Sequence, residues 1–575
     1  MKKIKDFKKK LQIGLLLLFT ISMTSKSQTS VSGIISSNTT WTQNNSPYIV
    51  TGNILLSSGV VLNIEPGVEI KVGNNFGIQI KGTLKARGNA NNRITFTSNN
   101  STPSNGDWSY IYFTDFSTDA ILTTNGNYVS GCILEYCNVL YSGGLSNGAV
   151  YVDNAKPFIR NCNITNSSSH GIYSYIGGFR IDSCNILNNS GSGLHYKYIN
   201  SDVKIFHNKI NNNNQGGIVF EPSASYDSIL IYNNEINSNL TNGGINIPTQ
   251  LGTKKVYILN NNIKNNVGNY GGAINIAGGF IRIECNSIVE NKATADGGGI
   301  YISYSDQNNT YHISNNYIAG NKSNDSYAIE IASLANSYTC SVYIENNIIT
   351  KNGPLSTPSI GSVLSLYGFS AYSSLTTFYT NNNLIKENSG KSAIELKSFV
   401  GTLHNNNFIN NNVTYEIYNN NDIGHNDIDA INNYWNTTNV TIIDNLIYDW
   451  LDNSSNSPVS YVPILNTPNP ILLNVSDLSC SSIDTSSTST STAEIQNNRT
   501  VIEVFPNPSN GILYFRNLEK ESILGIYDIT GKVIFETVFK NNEQTVDFST
   551  KEKGMYIFRV IDSNKEVHQG KIIIQ

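Results

Sequence analysis

The sequence predicts an all-β protein, in which a right-handed single-stranded parallel β-helix is followed by a small C-terminal antiparallel β-sandwich. Two observations carry this prediction. Apolar residues form a column that recurs at intervals of about 22–36 residues with asparagine at a fixed offset, and a Ser/Thr-rich stretch then separates this repeat from a tail of different texture. The repeat has no helical period, which excludes helical solenoids.

The column emerges when the chain is aligned on the pattern Asn-Asn-x-Ile-x-x-Asn. Its members are Val139, Ile164, Ile186, Ile210, Ile236, Ile263, Ile288, Ile318, Ile349, Ile385 and Ile409. From Ile186 onward an asparagine stands three residues after each member, the last being Asn412. An alternating strand pattern precedes the column, as in Val203–Phe206, and another follows a Gly-rich turn, as in Gly299–Ile302.

Short strands that repeat in this way must stack coil on coil in parallel. Neighbouring coils then lie about 4.8 Å apart, close enough for an asparagine amide to hydrogen-bond the asparagine of the next coil. Asparagine also tolerates the left-handed conformation at a bend. The crossover rule for parallel strands makes the winding right-handed.

The N-terminal residues 1–27 are predicted to be a signal peptide, because a lysine-rich start precedes the apolar run from Leu11 to Ile21 and Ser25 and Ser27 offer a small-x-small cleavage site. A membrane anchor is the alternative, but the run is shorter than the roughly 20 residues that span a bilayer. Residues 28–475 are then the β-helix, with entry coils over 28–128. Residues 476–499 are a linker, and residues 500–575 form the tail domain.

The formal net charge of −4 becomes more negative once the lysine-rich start is removed. A mildly acidic chain without a basic stripe argues against nucleic acid as a partner.

The repeat region resembles pectate-lyase-like parallel β-helix proteins, over about Trp41 to Leu473. Its beginning, Trp41–Val50 followed by Leu62–Val68 and Gly82–Leu84, is similar to the entry coils of many bacterial surface β-helices. Its end, Asn432–Thr437, resembles their usual Asn-Asn-Tyr-Trp-Gly-Thr, with Asn436 in place of Gly. These motifs indicate architecture and say little about activity.

The tail resembles the C-terminal sorting domain of type IX secretion cargo in Bacteroidota. The matching segments are Val504–Gly511, Gly525–Ile534, Lys553–Val560 and Gly570–Gln575, and they suggest about seven strands. The resemblance implies the type IX secretion machinery as a partner, transfer across the outer membrane, and a location that is secreted or on the cell surface. An ordinary adhesive β module is the alternative.

Seven cysteines are an odd number for an exported protein. Cys137, Cys162 and Cys184 each stand two residues before the column and should stack in adjacent coils. A disulfide between two of them is one interpretation, and a stack of small buried thiols is the favoured one. No zinc motif is found, no metal or other cofactor is predicted, and scattered aspartates leave calcium open without a loop of ligand spacing.

The activities known for the resembled family are not supported by motifs. Its hydrolases use Asp-Asp, Gly-His-Gly and Arg-Ile-Lys, and this chain has neither the first nor the third. Ser169-His170-Gly171 is the nearest match to the second. The calcium-binding aspartate cluster and basic residue of its lyases cannot be assembled either.

Strand geometry still nominates one surface. After each Gly-rich turn, the residue between two inward apolar residues should point outward, giving the row Tyr151, Tyr173, His195, Val219, Asn246, Asn275, Tyr301, Glu330, Ser365 and Glu395. The longest coils insert residues beside this row, at 303–310, 333–340 and 368–375, and such insertions usually wall a binding face.

Glu330 and Glu395 are the candidate catalytic residues, because two coils separate their backbones by about 9–10 Å. Tyr173, His195 and Tyr301 are the candidate substrate-binding residues, since aromatic rings stack on sugars. A solvated face with no ligand is the alternative.

Three functions remain open from the sequence. The favoured one is a secreted or cell-surface β-helix that binds polysaccharide or mediates adhesion. The second is a polysaccharide lyase or hydrolase acting near Tyr301, Glu330 and Glu395, and the third is a passive structural surface protein. Whether the chain is an enzyme stays undecided.

Overall fold

The computed structural model describes residues 28–478 and Cys480, without 124–125, 222–227, 249–253, 304–307, 333–338, 357–360, 369–375 and 423–425. In the C-terminal unit it describes 503–505, 509, 511–516, 522–528, 532–538, 543–561 and 567–574. The predicted signal peptide and most of the predicted coil insertions lie outside these residues. The chain divides into two units, Met1–Thr485 and Ser486–Gln575.

The first unit is a parallel β-helix of about 14 turns, which confirms the predicted fold class. Each complete coil contributes one strand to each of three parallel ladders, which we number in chain order within the coil. The coil at Val203 illustrates this, with Val203–Phe206 in ladder 1, Lys209–Asn211 in ladder 2 and Ile218–Glu221 in ladder 3. The second strand is the one that carries the predicted column.

Ladder 1 contains sixteen strands. They are Thr39–Trp41, Val61–Ile64, Thr83–Arg87, Ile133–Glu135, Phe158–Arg160, Arg180–Asp182, Val203–Phe206, Ser228–Tyr232, Lys255–Leu259, Phe280–Glu284, Asn309–Ser314, Cys340–Glu345, Thr376–Asn381, Gly401–Thr402, Ile428–Asp429 and Val459–Ser460.

Ladders 2 and 3 begin together, because the strands Thr29–Ile35 and Tyr48–Leu56 are long enough to belong to both. Ladder 2 continues through Glu69–Val72, Ile94–Ser98, Cys137–Leu140, Asn163–Thr165, Asn185–Leu187, Lys209–Asn211, Glu235–Asn237, Asn262–Lys264, Ser287–Val289, Tyr317–Ala319, Ile348–Thr350, Leu384–Lys386 and Asn407–Ile409. Ladder 3 continues through Ile78–Ile80, Ile111–Phe113, Gly148–Asp153, His170–Tyr175, Leu194–Lys197, Ile218–Glu221, Ile245–Ile247, Ile274–Ala277, Ile300–Ser303, Ser326–Ala332, Ser362–Tyr367, Ser389–Lys397, Asn412–Asn419 and Ile447–Tyr448.

Smaller elements decorate the coils. A four-stranded parallel sheet lies between ladders 2 and 3, made of Val267–Gly268, Lys292–Ala293, Lys322–Ser323 and Gly353–Pro354. An antiparallel pair joins Ile121–Leu122 to Tyr128–Ser130. Among the described residues, the helical segments are the α-helix Val440–Asn445 and the 3-10 helices Gln43–Asn45 and Val475–Asp477. In the described part of the chain, no helix has the length and apolar character needed to cross a membrane.

The predicted column is confirmed from Val139 to Ile385, where consecutive members pair in register and are fully buried. The last predicted member, Ile409, is wrong. Ile385 pairs with Phe408, which is buried in the core, while Ile409 faces outward. The reason is that Ile409 is covered from outside by a later segment of the chain, which the repeat pattern does not include.

The asparagines form two stacks rather than one, at the two ends of each ladder 2 strand. The first contains Asn208, Asn234, Asn261, Asn286, Asn316, Asn347, Asn383, Asn406 and Asn433. The second contains Asn189, Asn213, Asn239, Asn266, Asn291, Asn321, Asn352, Asn388 and Asn411, so that Asn411 replaces the predicted Asn412.

The two roles proposed for asparagine belong to neighbouring residues. Asn260 and Asn265 take a left-handed backbone, each with φ of 55°. The next residues, Asn261 and Asn266, point inward, and each Nδ2 donates to the Oδ1 of the following coil at 3.0 Å. In each such Asn-Asn pair, the first asparagine therefore makes the bend, and the second makes one hydrogen-bonded step, or rung, of a stack.

The cysteines Cys137, Cys162 and Cys184 are buried free thiols, which confirms the favoured interpretation. They continue the first asparagine stack, because the Cys184 N–H donates to Asn208 Oδ1 at 2.8 Å and the Cys162 N–H donates to Cys184 Sγ at 3.4 Å. A disulfide that the sequence did not predict joins Cys285 to Cys480, 195 residues apart.

The segment that ends at Cys480 packs on the β-helix, although the linker was predicted to begin at residue 476. Leu472 and Leu478 are buried against Ile348 and Leu384 of ladder 2. The packed region therefore extends to Cys480, because Leu478 finds an apolar surface that composition alone does not reveal.

The second unit contains the seven strands that the tail pattern suggested. Glu503–Phe505, Ile512–Arg516 and Glu543–Asp547 form one antiparallel sheet, and Val533–Val538, Ile523–Asp528, Gly554–Ile561 and Val567–Ile574 form another. Their buried residues share one apolar cluster that includes Phe515, Ile526 and Phe558.

Candidate functional site

The outward row predicted from the sequence exists on ladder 3, and every predicted member pairs with the next in register. The row also extends beyond the prediction at both ends. We call it the outer row, and its members are Gln79, Tyr112, Tyr151, Tyr173, His195, Val219, Asn246, Asn275, Tyr301, Glu330, Ser365, Glu395, Tyr418 and Tyr448. At about 4.8 Å per coil it is about 60 Å long.

The outer row is more buried than an open solvated face would be. Tyr173 and Glu330 are each 7% exposed and Ser365 is fully buried. At Ser365, the Oγ accepts a hydrogen bond at 2.7 Å from the Oγ of Ser326, which begins the neighbouring ladder 3 strand. Residues at the beginning of a ladder 3 strand therefore also contact the outer row.

The N-terminal part of the row is a stack of rings. The ring centroids are 4.5 Å apart for Tyr112 and Tyr151, 5.3 Å for Tyr151 and Tyr173, and 5.3 Å for Tyr173 and His195. The His170 ring lies 4.4 Å from that of His195. One face of Tyr173 stacks on His195 with 19° between the ring planes, whereas Tyr151 and Tyr173 meet edge to face at 68°. Since Tyr173 is also only 7% exposed, most of its ring is not available to stack on a sugar.

The two histidines of this aromatic part are uncharged at neutral pH. Burial, with the neighbouring His195, lowers the pKa of His170 to about 3. His170 Nδ1 accepts a hydrogen bond from the Ser192 N–H at 2.8 Å. Burial also lowers the pKa of His195, although the Glu221 carboxylate, 3.2 Å from His195 Nε2, acts in the opposite direction.

The C-terminal part of the row is acidic. Tyr301, Glu330, Ser365 and Glu395 follow one another in consecutive coils, so two coil steps, about 10 Å, separate the backbones of the two glutamates. Four coil steps, about 19 Å, separate His195 from Tyr301. The fold therefore brings Tyr301, Glu330 and Glu395 together, and it keeps Tyr173 and His195 apart from them.

Glu330 is held in its protonated form near neutral pH. Burial, reinforced by the carboxylates of Asp296, Asp325 and Glu395, raises the pKa of Glu330 to about 8, against the effect of the Ser326 hydroxyl. Burial also raises the pKa values of Asp296 and Asp325. A carboxylic acid that keeps its proton at pH 7 can donate that proton to a leaving group.

Glu395 has a different environment from Glu330. Ser362 Oγ donates to Glu395 Oε2 at 2.8 Å and lies 2.7 Å from Ser392 Oγ. Lys391 Nζ lies 3.9 Å from Glu395 Oε1 and 3.3 Å from the centre of the Tyr418 ring. Glu395 therefore has a cation and a hydroxyl donor as neighbours, whereas the neighbours of Glu330 include the carboxyl groups of Asp296 and Asp325.

Tyr301 links the acidic residues to an aromatic neighbour. Its ring centroid lies 4.9 Å from that of Tyr270, and the ring is partly exposed. Burial and the neighbouring Glu330 raise the pKa of the Tyr301 hydroxyl, so it remains a hydrogen-bond donor over the whole neutral range. Tyr301 thus offers an apolar surface and a polar tip beside Glu330.

Sequence reasoning missed four residues that lie outside the row: Asp296 and Asp325 precede strands of ladder 3, and Ser362 and Lys391 lie near the beginning of such strands. The first two stand after the small parallel sheet in consecutive coils, and the Gly271 N–H donates to the Asp296 carbonyl at 3.0 Å. Asp296 and Asp325 each stand five residues before a member of the outer row, Tyr301 and Glu330, so counting back from the row could have aligned them. In the described part of the chain, no three His, Cys, Asp or Glu side chains are placed to hold a metal ion.

Comparisons with known proteins agree with this architecture. Residues 33–115 match the family model of the pectate-lyase like beta helix domain, and residues 503–575 match that of the secretion system C-terminal sorting domain. No curated protein matches the chain. Among solved structures, the receptor-binding protein of bacteriophage Det7, a podoviral tailspike in a myovirus, is 9% identical over 95% of both chains. Its TM-score of 0.13 is too low to indicate a shared fold.

The sorting domain indicates secretion or attachment to the cell surface and interaction with the type IX secretion machinery. The chain is therefore a parallel β-helix protein with a pectate-lyase-like domain match at residues 33–115 and a type IX C-terminal sorting domain at residues 503–575.

Proposed function

We propose that the exported β-helix binds a polysaccharide along the outer row, outside the outer membrane. One observation carries this proposal, which is that the row runs through fourteen members in unbroken register and mixes tyrosine with amide and carboxyl side chains. A linear polymer of sugars has the same alternation of apolar faces and hydroxyl groups, and a straight row of about 60 Å contacts many units at once.

Tyr301 is the aromatic member whose surroundings best suit a sugar, because it is partly exposed and stands beside Glu330. Tyr301→Ala is expected to weaken binding by about tenfold or more, which corresponds to about 1.4 kcal/mol. Binding should be measured on a glycan array and then by titration calorimetry with the sugar found.

The matched control for Tyr301 is Tyr343→Ala. Tyr343 is an outward tyrosine of ladder 1, stacked between His312 and Tyr379 at 4.7 and 4.8 Å, and it lies off the outer row. An equal loss of binding in both variants would place the ligand elsewhere. No binding to any polysaccharide would leave the passive structural role as the better account.

Hydrolysis is a second candidate function, favoured by the contrast between Glu330 and Glu395. Glu330 would donate a proton to the glycosidic oxygen, and Glu395, beside Lys391, would act as base toward a water molecule. The coil spacing of about 10 Å between backbones is compatible with the 6.5–9.5 Å between carboxyl groups of inverting enzymes.

On this candidate mechanism, Glu330→Gln and Glu395→Gln should each reduce turnover by about 100- to 10,000-fold. Wild-type turnover should fall as the pH rises through about 8, because Glu330 then loses the proton that it donates. Reducing ends and unsaturated products should be assayed on the polysaccharide that binds. Full turnover in both variants would exclude this pair, and binding without turnover in the wild type would leave binding as the function.

A further inference from the structure

The last part of the β-helix unit does not lead away from its end but runs back over the outside of ladder 2. We call residues 469–478 together with Cys480 the strap. At its start the Asn469 N–H donates to Asn407 Oδ1 at 2.7 Å, and Asn469 Nδ2 donates to the Asn405 carbonyl at 2.8 Å. At its end Cys480 is bonded to Cys285. The strap therefore crosses from the last strand of ladder 2 to the strand that follows Cys285, Ser287–Val289.

The strap packs on the strands that it crosses. Leu472 and Leu478 are buried against Ile348 and Leu384, and Val475 packs on the same cluster. Asn407 Nδ2 donates to the Leu472 carbonyl at 3.2 Å. These contacts cover outward side chains of ladder 2 that would otherwise be exposed, and they fix the direction of the strap against the coils.

The disulfide changes how a pull on the chain would be transmitted. Without it, tension on the chain beyond Cys480 would break the contacts of the strap one after another and would then peel the final coil, since each coil is held only by its neighbour. With it, tension passes from Cys480 directly to Cys285. The strands from Ser287–Val289 to Val459–Ser460 lie inside the covalently closed loop and carry no tension.

We propose that the strap and the Cys285–Cys480 disulfide form a tension anchor, which protects the C-terminal coils when the exported protein is pulled through its tail. The chain beyond Cys480 leads through a Ser- and Thr-rich segment to the sorting domain, the part of the protein that directs secretion or surface attachment. The protected coils include Tyr301, Glu330 and Glu395. The anchor therefore keeps the acidic part of the outer row in register under load, whether or not that row binds polysaccharide.

The test is single-molecule force spectroscopy on the oxidised chain from Gln28 to Gln575, with handles at both ends. The comparison protein is the double variant Cys285→Ser, Cys480→Ser, which keeps all apolar contacts of the strap. The closed loop hides 195 residues, so the final unfolded length of the wild type should be about 680 Å shorter at about 3.5 Å per residue. Unfolding of residues 503–575 is common to both proteins and serves as an internal marker.

The proposal also predicts the order of events. In the double variant the β-helix should begin to open from its C-terminal coils and at a lower force than in the wild type. Leu472→Ala in the oxidised protein should leave the wild-type force unchanged, because the disulfide and not the packing carries the tension. An equal first-opening force in the wild type and the double variant, or a wild-type unfolded length without the deficit, would overturn the proposal.

Discussion

Asn321→Ala should destabilise the β-helix by about 3 kcal/mol, because it leaves a buried hydrogen-bond donor without an acceptor. Asn321 is fully buried in the second asparagine stack. Its Oδ1 accepts hydrogen bonds from the backbone N–H and from the Nδ2 of Asn291, both at 3.0 Å. Its Nδ2 donates to Asn352 Oδ1 at 3.0 Å and to the Ile288 carbonyl at 2.9 Å. Alanine would leave the Asn291 N–H buried without an acceptor and would open a small cavity.

The measurement is urea unfolding of the wild type and the variant, combined with hydrogen exchange to locate the loss. Exchange should accelerate in the coils of Asn291 and Asn352 before distant coils, because each coil contacts only its neighbours. Asn105→Ala is the control, since Asn105 is exposed, and its effect should stay within about 0.5 kcal/mol. A loss at Asn321 as small as at Asn105 would contradict the role given to the stack.

The stability of the β-helix should fall as the pH rises from 5 to 9, and Glu416→Gln should remove a large part of this dependence. Burial raises the pKa of Glu416 to about 8, although Asn411 Nδ2 donates to its Oε2 at 3.0 Å. The folded chain therefore binds a proton that the unfolded chain releases above its ordinary pKa of about 4.3. The stability that this proton provides is complete at acidic pH and is lost as the pH rises toward and through about 8.

The magnitude is on the order of 5 kcal/mol for a shift of this size, at about 1.36 kcal/mol per pKa unit. Glu330 adds a second loss of the same sign, so Glu416→Gln should flatten the pH dependence and not abolish it. Glutamine keeps an oxygen that can accept from Asn411. Glu387→Gln is the control, because Glu387 is 44% exposed beside Lys351. Urea unfolding at pH 5, 7 and 9 measures all three proteins, and identical slopes would refute the assignment to Glu416.

The pattern of the sequence was sufficient to predict the coil, because the same physical requirement recurs in each turn. Ile186 and Ile210 fill the same inward position, and Asn189 and Asn213 are hydrogen-bonded to each other in the second stack. The register of the outer row followed from the same repetition, and each of its predicted pairs is present, for instance Tyr301 with Glu330.

Features that occur once could not be predicted in this way. The pairing of Cys285 with Cys480 depends on a segment that runs against the direction of the coils, and no repeat encodes that reversal. The shift from Ile409 to Phe408 has the same origin, since Ile409 is apolar in order to meet the strap. The raised pKa of Glu330 could not be predicted, because Asp296 and Asp325 act on it from turns whose length varies between coils.

The two asparagine stacks make the coil an interchangeable part. One coil can be taken as residues 209–234, from the residue after Asn208 to Asn234 of the first stack. Such a coil forms the same asparagine hydrogen bonds with the coil before it as with the coil after it. Adding or removing such a block shifts later residues along the axis without moving them between ladders. The length of the outer row can therefore change during evolution by gene duplication or deletion, in steps of one coil of about 4.8 Å. Cys285 and Cys480 stay close enough to bond only if the coil is gained or lost before residue 285.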